Sequence, residues 1–142
     1  MTFKNLYTNF AIYKLVVYTT FKYKIIMISK ELLKGSLKSI VLKLLSENKR
    51  MYGYEITQKV EELANGKIKL TFGALYPILH KLETDGAVIT ETEIMNGRVR
   101  IYYKLTPKGT NVAKEKVKEL QDFIEMIGIL LKPGYSLEVC KI

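Results

Sequence analysis

The sequence predicts a mainly α-helical domain with one small β-hairpin, an α+β fold class, followed by a long C-terminal helix. Apolar residues recur at spacings of three and four in four segments of the chain, the pattern of amphipathic helices. Two segments rich in Val, Ile, Thr and Tyr are joined through Asn-Gly, the strongest short-range hairpin signal. The length of 142 residues favours one domain, and 48% apolar residues are enough to bury a core.

The charge balance indicates an anionic partner. Lys and Arg total 23 against 14 Asp and Glu, a net charge of +9, which would suit nucleic acid, a membrane surface or an acidic protein. The single cysteine, Cys140, excludes an internal disulfide and a cysteine zinc cluster. The single histidine, His80, argues against a His-rich metal site or a Ser-His-Asp triad. No carboxylate pair, nucleophile–base set or phosphate loop stands out, so we expect neither an enzyme nor a metal or other cofactor.

Residues 1–26 differ in composition from the rest of the chain. They contain four lysines, seven aromatic residues and no acidic residue. Residue types with AT-rich codons dominate them, so we expect a non-native or disordered extension, with Met27 opening the native domain. A basic helix lying on a membrane surface is the alternative. No apolar run approaches the roughly 20 residues that a membrane span needs, and we expect a cytoplasmic protein.

Capping and periodicity predict the first two helices. Ser29 is a candidate N-cap for a helix over 31–47. The second helix is expected over 53–64 and ends at Asn65-Gly66. Its expected buried residues are Ile56, Val60 and Leu63. The segment 67–70 alternates like a short strand or an extended linker.

The third helix begins after Thr71, its candidate N-cap, and ends at Asp85-Gly86. Pro77 is awkward here, because proline lacks an amide donor and its ring presses on the carbonyl of Gly73. Either the helix starts with a distorted turn, or Pro77 lies near the first turn of a shorter helix. The predicted inward face consists of Leu75, Ile78, Leu79 and Leu82.

A hairpin and a long helix complete the domain. The segments 87–94 and 98–105 predict two strands joined by Met95-Asn96-Gly97. Thr106-Pro107 supplies an N-cap and a first-turn proline for the last helix, which ends at Pro133-Gly134. The apolar stripe of this helix consists of Ala113, Val117, Leu120, Ile124, Ile127 and Leu131. Residues 133–142 are expected to form a flexible tail.

Three helices followed by a hairpin are the element order of a winged helix-turn-helix. In that fold the third helix enters the DNA major groove, and the hairpin forms a wing beside it. A wing tip that approaches the DNA backbone needs a glycine turn and cations, and Asn-Gly-Arg-Val-Arg at 96–100 supplies both. We therefore assign residues 27–106 to a DNA-binding domain.

The last helix is assigned to dimerisation, over residues 107–132. A helix of about 37 Å overhangs so small a domain, and an overhanging apolar stripe must be buried by another chain. The first helix of the partner is the expected counterpart. The candidate dimer contacts are Leu33, Leu37, Val117, Leu120, Phe123, Ile124, Ile127 and Leu131.

The third-helix segment resembles a motif of the PadR family of bacterial transcriptional regulators. Residues 71–86, Thr-Phe-Gly-Ala-Leu-Tyr-Pro-Ile-Leu-His-Lys-Leu-Glu-Thr-Asp-Gly, match the family's G-T-L-Y-P-x-L-x-R-L-E-x-x-G, with Ala74 and Lys81 in place of Thr and Arg. Residues 52–56, Tyr-Gly-Tyr-Glu-Ile, match the family's opening of the second helix.

The wing carries the third part of the resemblance. Residues 97–109 are similar to the family's G-R-P-R-K-Y-Y-x-L-T-x-x-G, with Val99 replacing the wing proline and Ile101 replacing a basic residue. The resemblance covers residues 30–131 and implies the short type of the family, with one long C-terminal helix and no separate effector domain.

The candidate DNA-contacting residues follow from the outward face of the third helix, its flanks and the wing. They are Tyr52, Lys69, Thr71, Gly73, Ala74, Tyr76, Pro77, His80, Lys81, Asn96, Gly97, Arg98 and Arg100. The alternative to DNA contact for Tyr76 is a packing role in which the side chain is partly buried. The alternative for Arg100 is an ion pair with Glu91 or Glu93. Because side chains alternate along a strand, one of Tyr102 and Tyr103 is expected in the core and the other exposed.

The predicted function is a homodimeric transcriptional regulator, taken as a repressor, that binds a palindromic operator in double-stranded DNA. Some short PadR-type regulators resemble drug sensors that hold a flat aromatic compound at the dimer centre with tryptophan, which this chain lacks. Phe123 and Met126 are the candidates to line such a cavity for a small hydrophobic effector. A winged-helix protein-interaction module that does not bind DNA is the alternative.

Overall fold

The computed structural model describes residues 28–132. The expectations for residues 1–26 and for the tail over 133–142 concern residues outside this range. The elements in chain order are α1 (Lys30–Glu47), β1 (Met51–Tyr52), α2 (Gly53–Leu63), α3 (Phe72–Thr84), β2 (Val88–Met95), β3 (Arg98–Leu105) and α4 (Pro107–Leu130). The predicted fold class is confirmed: a winged helix of the α+β type with a long C-terminal helix.

Three helices begin at the side-chain caps that the sequence predicts. Ser29 accepts a hydrogen bond from the amide of Leu32, and Thr71 accepts one from the amide of Ala74. Thr106 accepts one from the amide of Gly109, with Pro107 as the first residue of α4. Each cap satisfies an amide that a helix N-terminus would otherwise leave without a partner.

The sheet has three antiparallel strands in the order β1-β3-β2, one more than the predicted hairpin. β1 pairs Met51 with Tyr103 and Tyr52 with Tyr102. The hairpin turn is as predicted, because Asn96 and Gly97 have φ angles of 52° and 73°. Positive φ at both central residues is what a type I′ turn requires. The segment 67–70 does not form a strand, which excludes the first of the two options left open by the sequence.

The core lies between the helices and the inner face of the sheet. Three inward residues of α3 are buried as predicted, and Ile78 is half-buried beside them. The buried apolar side chains are Leu37, Val41, Leu42, Leu44, Leu45, Met51, Ile56, Val60, Leu70, Leu75, Leu79, Leu82, Ala87, Val88, Tyr102, Tyr103 and Ala113.

Two burial predictions were wrong. Leu63 is 63% exposed, because it is the last residue of α2 and lies past the end of the core. Tyr102 and Tyr103 are both buried, although they point to opposite faces of β3. Tyr103 packs in the core, whereas Tyr102 is covered on the outer face by the ring of Tyr52 and the guanidinium of Arg50.

Candidate nucleic-acid interface

The outward side of α3 presents the predicted recognition residues. Because Leu75, Leu79 and Leu82 are buried, the rest of the helix surface faces away from the core. The predicted residues on this surface are all exposed: Thr71, Gly73, Ala74, Tyr76, Pro77, His80 and Lys81. Gly73 and Ala74 have small side chains in the first turn of α3, and Lys81 adds a positive charge in its last turn.

Pro77 lies inside α3, six residues into a helix that starts at Phe72. The sequence left open whether the helix was shortened to place this proline in the first turn, and the structure shows the longer helix. Pro77 has no amide to donate to the carbonyl of Gly73. That carbonyl lies at the exposed N-terminal end of the helix, where solvent or a ligand donor can satisfy it.

Tyr76 packs against α2 through its hydroxyl group and leaves part of its ring on the surface. Its hydroxyl lies against Gly53, where a Cβ atom would come within 2.8 Å of the Tyr76 oxygen. Its ring is 5.8 Å from the ring of Phe72. The absence of a side chain at Gly53 therefore lets the α2 N-terminus hold Tyr76 in place, while part of the ring remains on the surface.

The wing tip carries Asn96, Gly97 and Arg98, all exposed. Neither Arg98 nor Lys81 forms an ion pair with another residue in the range 28–132. Their charges are thus available to an anion. By contrast, Lys69 lies 3.6 Å from a carboxylate oxygen of Glu61, and His80 lies 3.9 Å from one of Glu83.

Arg100 is placed differently from Arg98. Its guanidinium lies 4.8 Å from the ring centre of Tyr52, so Tyr52 supports a cation at the base of the wing. A hydrogen bond with the side chain of Tyr102 raises the pKa of Arg100. The alternative partners considered from the sequence, Glu91 and Glu93, are bound by another arginine.

That arginine is Arg50, which the sequence reasoning missed. It lies 3.1 Å from a carboxylate oxygen of Glu91 and 2.6 Å from one of Glu93, and it covers the ring of Tyr102 at 4.3 Å. Hydrogen bonds, first with Glu93 and then with Glu91, raise the pKa of Arg50. Arg50 therefore neutralises two carboxylates on the outer face of the wing and ties the wing to the segment before β1.

We expect Arg50→Ala to weaken binding of the protein to DNA by roughly threefold at low salt, and by less as salt screens the wing carboxylates. Without Arg50, Glu91 and Glu93 would repel phosphate beside the wing tip. Fluorescence anisotropy with a labelled duplex measures this, and the double variant Arg50→Ala/Glu93→Gln should recover part of the affinity. Unchanged affinity of Arg50→Ala at low salt would contradict this role.

The predicted dimer contacts fall into three groups. Leu37 is 3% exposed in the core of the single chain, so it has almost no surface left for a partner. Leu33, Val117, Leu120 and Ile127 are half-buried. Phe123, Ile124 and Leu131 are exposed.

The two candidate effector residues are exposed on α4, and one of them borders a groove between α1 and α4. The groove has a volume of about 580 Å³ and is lined by Phe123 but not by Met126. α1 and α4 cross beside it, where the Ser39 hydroxyl donates a hydrogen bond of 3.1 Å to the carbonyl of Lys116. None of the helices within residues 28–132 combines the length and the apolar composition of a membrane-spanning segment.

Comparisons with known proteins agree with this architecture. The family model of the transcriptional regulator PadR-like family matches residues 41–115. The chain is 34% identical over 79 residues to the transcriptional regulator Rv3488 of Mycobacterium tuberculosis, covering 55% of this chain and 71% of that protein.

Solved structures show the same fold. A transcriptional regulator from Clostridium thermocellum has a TM-score of 0.66 at 26% identity, covering 72% of this chain and 100% of that one. A PadR family transcriptional regulator from Eggerthella lenta has a TM-score of 0.57 at 29% identity, covering 86% and 94%. With the family model matching more than half of its length, the chain belongs to the PadR-like family of transcriptional regulators.

Proposed function

We propose that the chain is a homodimeric repressor that binds a palindromic operator with α3 in the major groove and the wing against the adjoining backbone. The observation that carries the proposal is the pair of cations Lys81 and Arg98, which have no ion-pair partner in the described part of the chain. They lie on the two elements that a winged helix presents to DNA.

The outward face of α3 suits entry into a groove. Gly73 and Ala74 have small side chains at its N-terminal end, so the backbone can come close to base edges. Thr71 supplies a hydroxyl group that can bond phosphate or bases, and Tyr76 exposes part of its ring beside it. The N-terminal residues of a recognition helix are the ones that commonly contact base edges.

The dimer is supported by the apolar stripe of α4. Its first part, from Ala113 to Leu120, packs toward α1, and the same stripe continues through Ile124 and Leu131 on the surface. Ile124 is 60% exposed and Leu131 is 78% exposed in the single chain. A second copy related by a two-fold axis would bury this continuation, and two recognition helices would then face two half-sites about one helical turn apart.

Regulation by a small apolar molecule fits the groove between α1 and α4. A ligand seated beside Phe123 would change how α4 packs on α1, and hence the distance between the two α3 helices of the dimer. Repression would follow if the unliganded dimer has the spacing of the operator. Such coupling requires the ligand to prefer one of two dimer geometries.

The double variant Lys81→Ala/Arg98→Ala tests the proposal. A DNA sequence that the wild-type protein prefers is first selected from a random duplex library, and affinity is then measured by fluorescence anisotropy across a salt series. We expect the double variant to bind about 100-fold more weakly at low salt. Its salt slope should be smaller by about one for each phosphate that the protein no longer neutralises.

The matched control is Lys114→Ala/Lys118→Ala, which removes the same charge from the polar side of α4. This control should keep its affinity within a few-fold, so that a change in net charge alone is distinguished from removal of cations that touch DNA. Weak binding of the wild type that is equal on random DNA would contradict the proposal. It would favour the alternative of a winged-helix module that binds a protein partner.

A further inference from the structure

A hollow between α3 and the wing is lined mainly by aromatic and aliphatic side chains, although it lies on the side of the domain proposed to face DNA. It has a volume of about 200 Å³. Its exposed lining, here called the aromatic–aliphatic patch, consists of Tyr54, Phe72, Tyr76, Val99 and Ile101. None of the described residues that line the hollow carries a carboxylate.

Strand alternation separates the patch from the cations of the wing. Val99 and Ile101 lie on the face of β3 that is turned toward α3, and Arg98 and Arg100 lie on the opposite face. A hydrogen bond of 3.0 Å from Thr90 to Glu83 joins the α3-facing side of the sheet to α3. The wing thus presents a charged face and an aliphatic face at the same tip.

Phe72 is the residue of the patch that lies at the N-terminus of α3. It is the first residue of α3, next to the capping Thr71, and the residue is 47% exposed. Only the ring of Tyr76, at 5.8 Å, is paired with it among the aromatic contacts of the described residues. A phenyl ring has no hydrogen-bonding group, so it cannot recognise the polar base edges that a groove displays.

We propose that Phe72 is a specificity-determining residue that contacts the C5-methyl group of a thymine in the major groove. The thymine methyl is the apolar group that base pairs display in that groove. The remainder of the aromatic–aliphatic patch shields the contact from water. The inference rests on the proposed function, because it requires the N-terminus of α3 to enter the major groove.

The place of the patch in the fold favours DNA over an apolar ligand as its occupant. The patch lies between α3 and the wing, the two elements that a winged helix presents to DNA. Lys81 and Arg98 belong to these same two elements, although Arg98 is on the opposite face of β3, so DNA bound by both elements would also cover the patch.

The test replaces thymine by uracil, which removes only the C5-methyl group. Using the full-length protein and the duplex selected from a random library, each thymine is exchanged in turn and the affinity is measured. We expect one position in each half-site to respond, by about fourfold for one half-site and about sixteenfold for both, the value of one buried methyl group each.

Variants assign the effect to Phe72. Phe72→Ala should bind thymine and uracil duplexes equally, whereas Phe72→Leu should still prefer thymine. Lys81→Ala is the matched control, because removing a cation that neutralises phosphate lowers both affinities and leaves their ratio unchanged. Thermal unfolding followed by circular dichroism checks that each variant is folded. The comparison of thymine and uracil duplexes with the wild-type protein does not depend on the folding of any variant.

The outcomes separate this inference from the proposed function. A wild type that selects and binds DNA but ignores every thymine-to-uracil exchange overturns the role of Phe72 and leaves the proposed function standing. A Phe72→Ala variant that still prefers thymine over uracil also overturns the role of Phe72. If this variant binds the thymine and uracil duplexes more weakly by the same factor, the ring contacts the sugar-phosphate backbone instead of the methyl group. A wild type that selects no DNA overturns both.

Discussion

Ile124→Glu is expected to dissociate the proposed dimer into monomers and to weaken operator binding by about 100-fold or more, because a buried unpaired carboxylate is costly and a two-fold interface would contain it twice. Ile124 lies in the exposed continuation of the α4 stripe and is 60% exposed in the single chain. The substitution should therefore leave the fold of each protomer intact. Each monomer would then bind one half-site of the palindrome independently of the other.

Analytical ultracentrifugation measures this as a fall from twice the chain mass of 16.4 kDa to the chain mass itself. Asn111→Glu is the matched control, since it adds the same charge to the polar side of α4 at an exposed position. It should remain dimeric and bind DNA as the wild type does. A dimer of undiminished stability in Ile124→Glu would place the interface elsewhere on the protein.

Gly109→Ala is expected to lower the free energy of unfolding by about 3 kcal/mol, because an added methyl group meets backbone atoms that have no room to move. A Cβ atom at Gly109 would lie 1.8 Å from the carbonyl oxygen of Ala87. That oxygen already accepts a hydrogen bond of 3.0 Å from the amide of Thr106. The Thr106 hydroxyl donates another, of 2.7 Å, to the carbonyl of Gly86, so the junction of α3, β2 and α4 is held from several sides.

Thermal unfolding followed by circular dichroism checks this prediction, with a fall in Tm of roughly 10–20 °C expected for a domain of this size. Gly35→Ala is the control, because a Cβ atom at Gly35 in α1 would meet nothing within 4 Å. It should raise stability by about 0.5–1 kcal/mol, the gain expected from alanine in a helix interior. Equal stability of Gly109→Ala and wild type would show that the close approach is relieved by movement of α4.

Local patterns predicted most of the fold, because caps, turns and helical periodicity act over a few residues. Ser29, Thr71 and Thr106 cap their helices as expected, and Asn96-Gly97 forms the hairpin turn. β1 was missed because its two residues acquire strand structure only by pairing with β3, far along the chain. A strand so short has no alternating pattern of its own.

The candidate site divides in the same way. The outward residues of α3 were identified from its buried stripe, a local property. Arg50 was missed because its partners, Glu91 and Glu93, are about 40 residues away and are brought to it by the sheet. Phe72 was missed because it lies three residues before Leu75 and continues the core pattern, although the helix end projects beyond the core and leaves its ring on the surface.

The spacing of half-sites shows whether the protein binds DNA as a dimer with two fixed recognition helices, since such a dimer must match the distance between them. The measurement is the affinity of the full-length protein for the selected palindrome and for the same half-sites separated by five additional base pairs. We expect the affinity to fall by about 100-fold, because half a helical turn moves one half-site to the far side of the duplex and leaves a single protomer bound. Equal affinity for the two duplexes would contradict a DNA-binding dimer of fixed geometry.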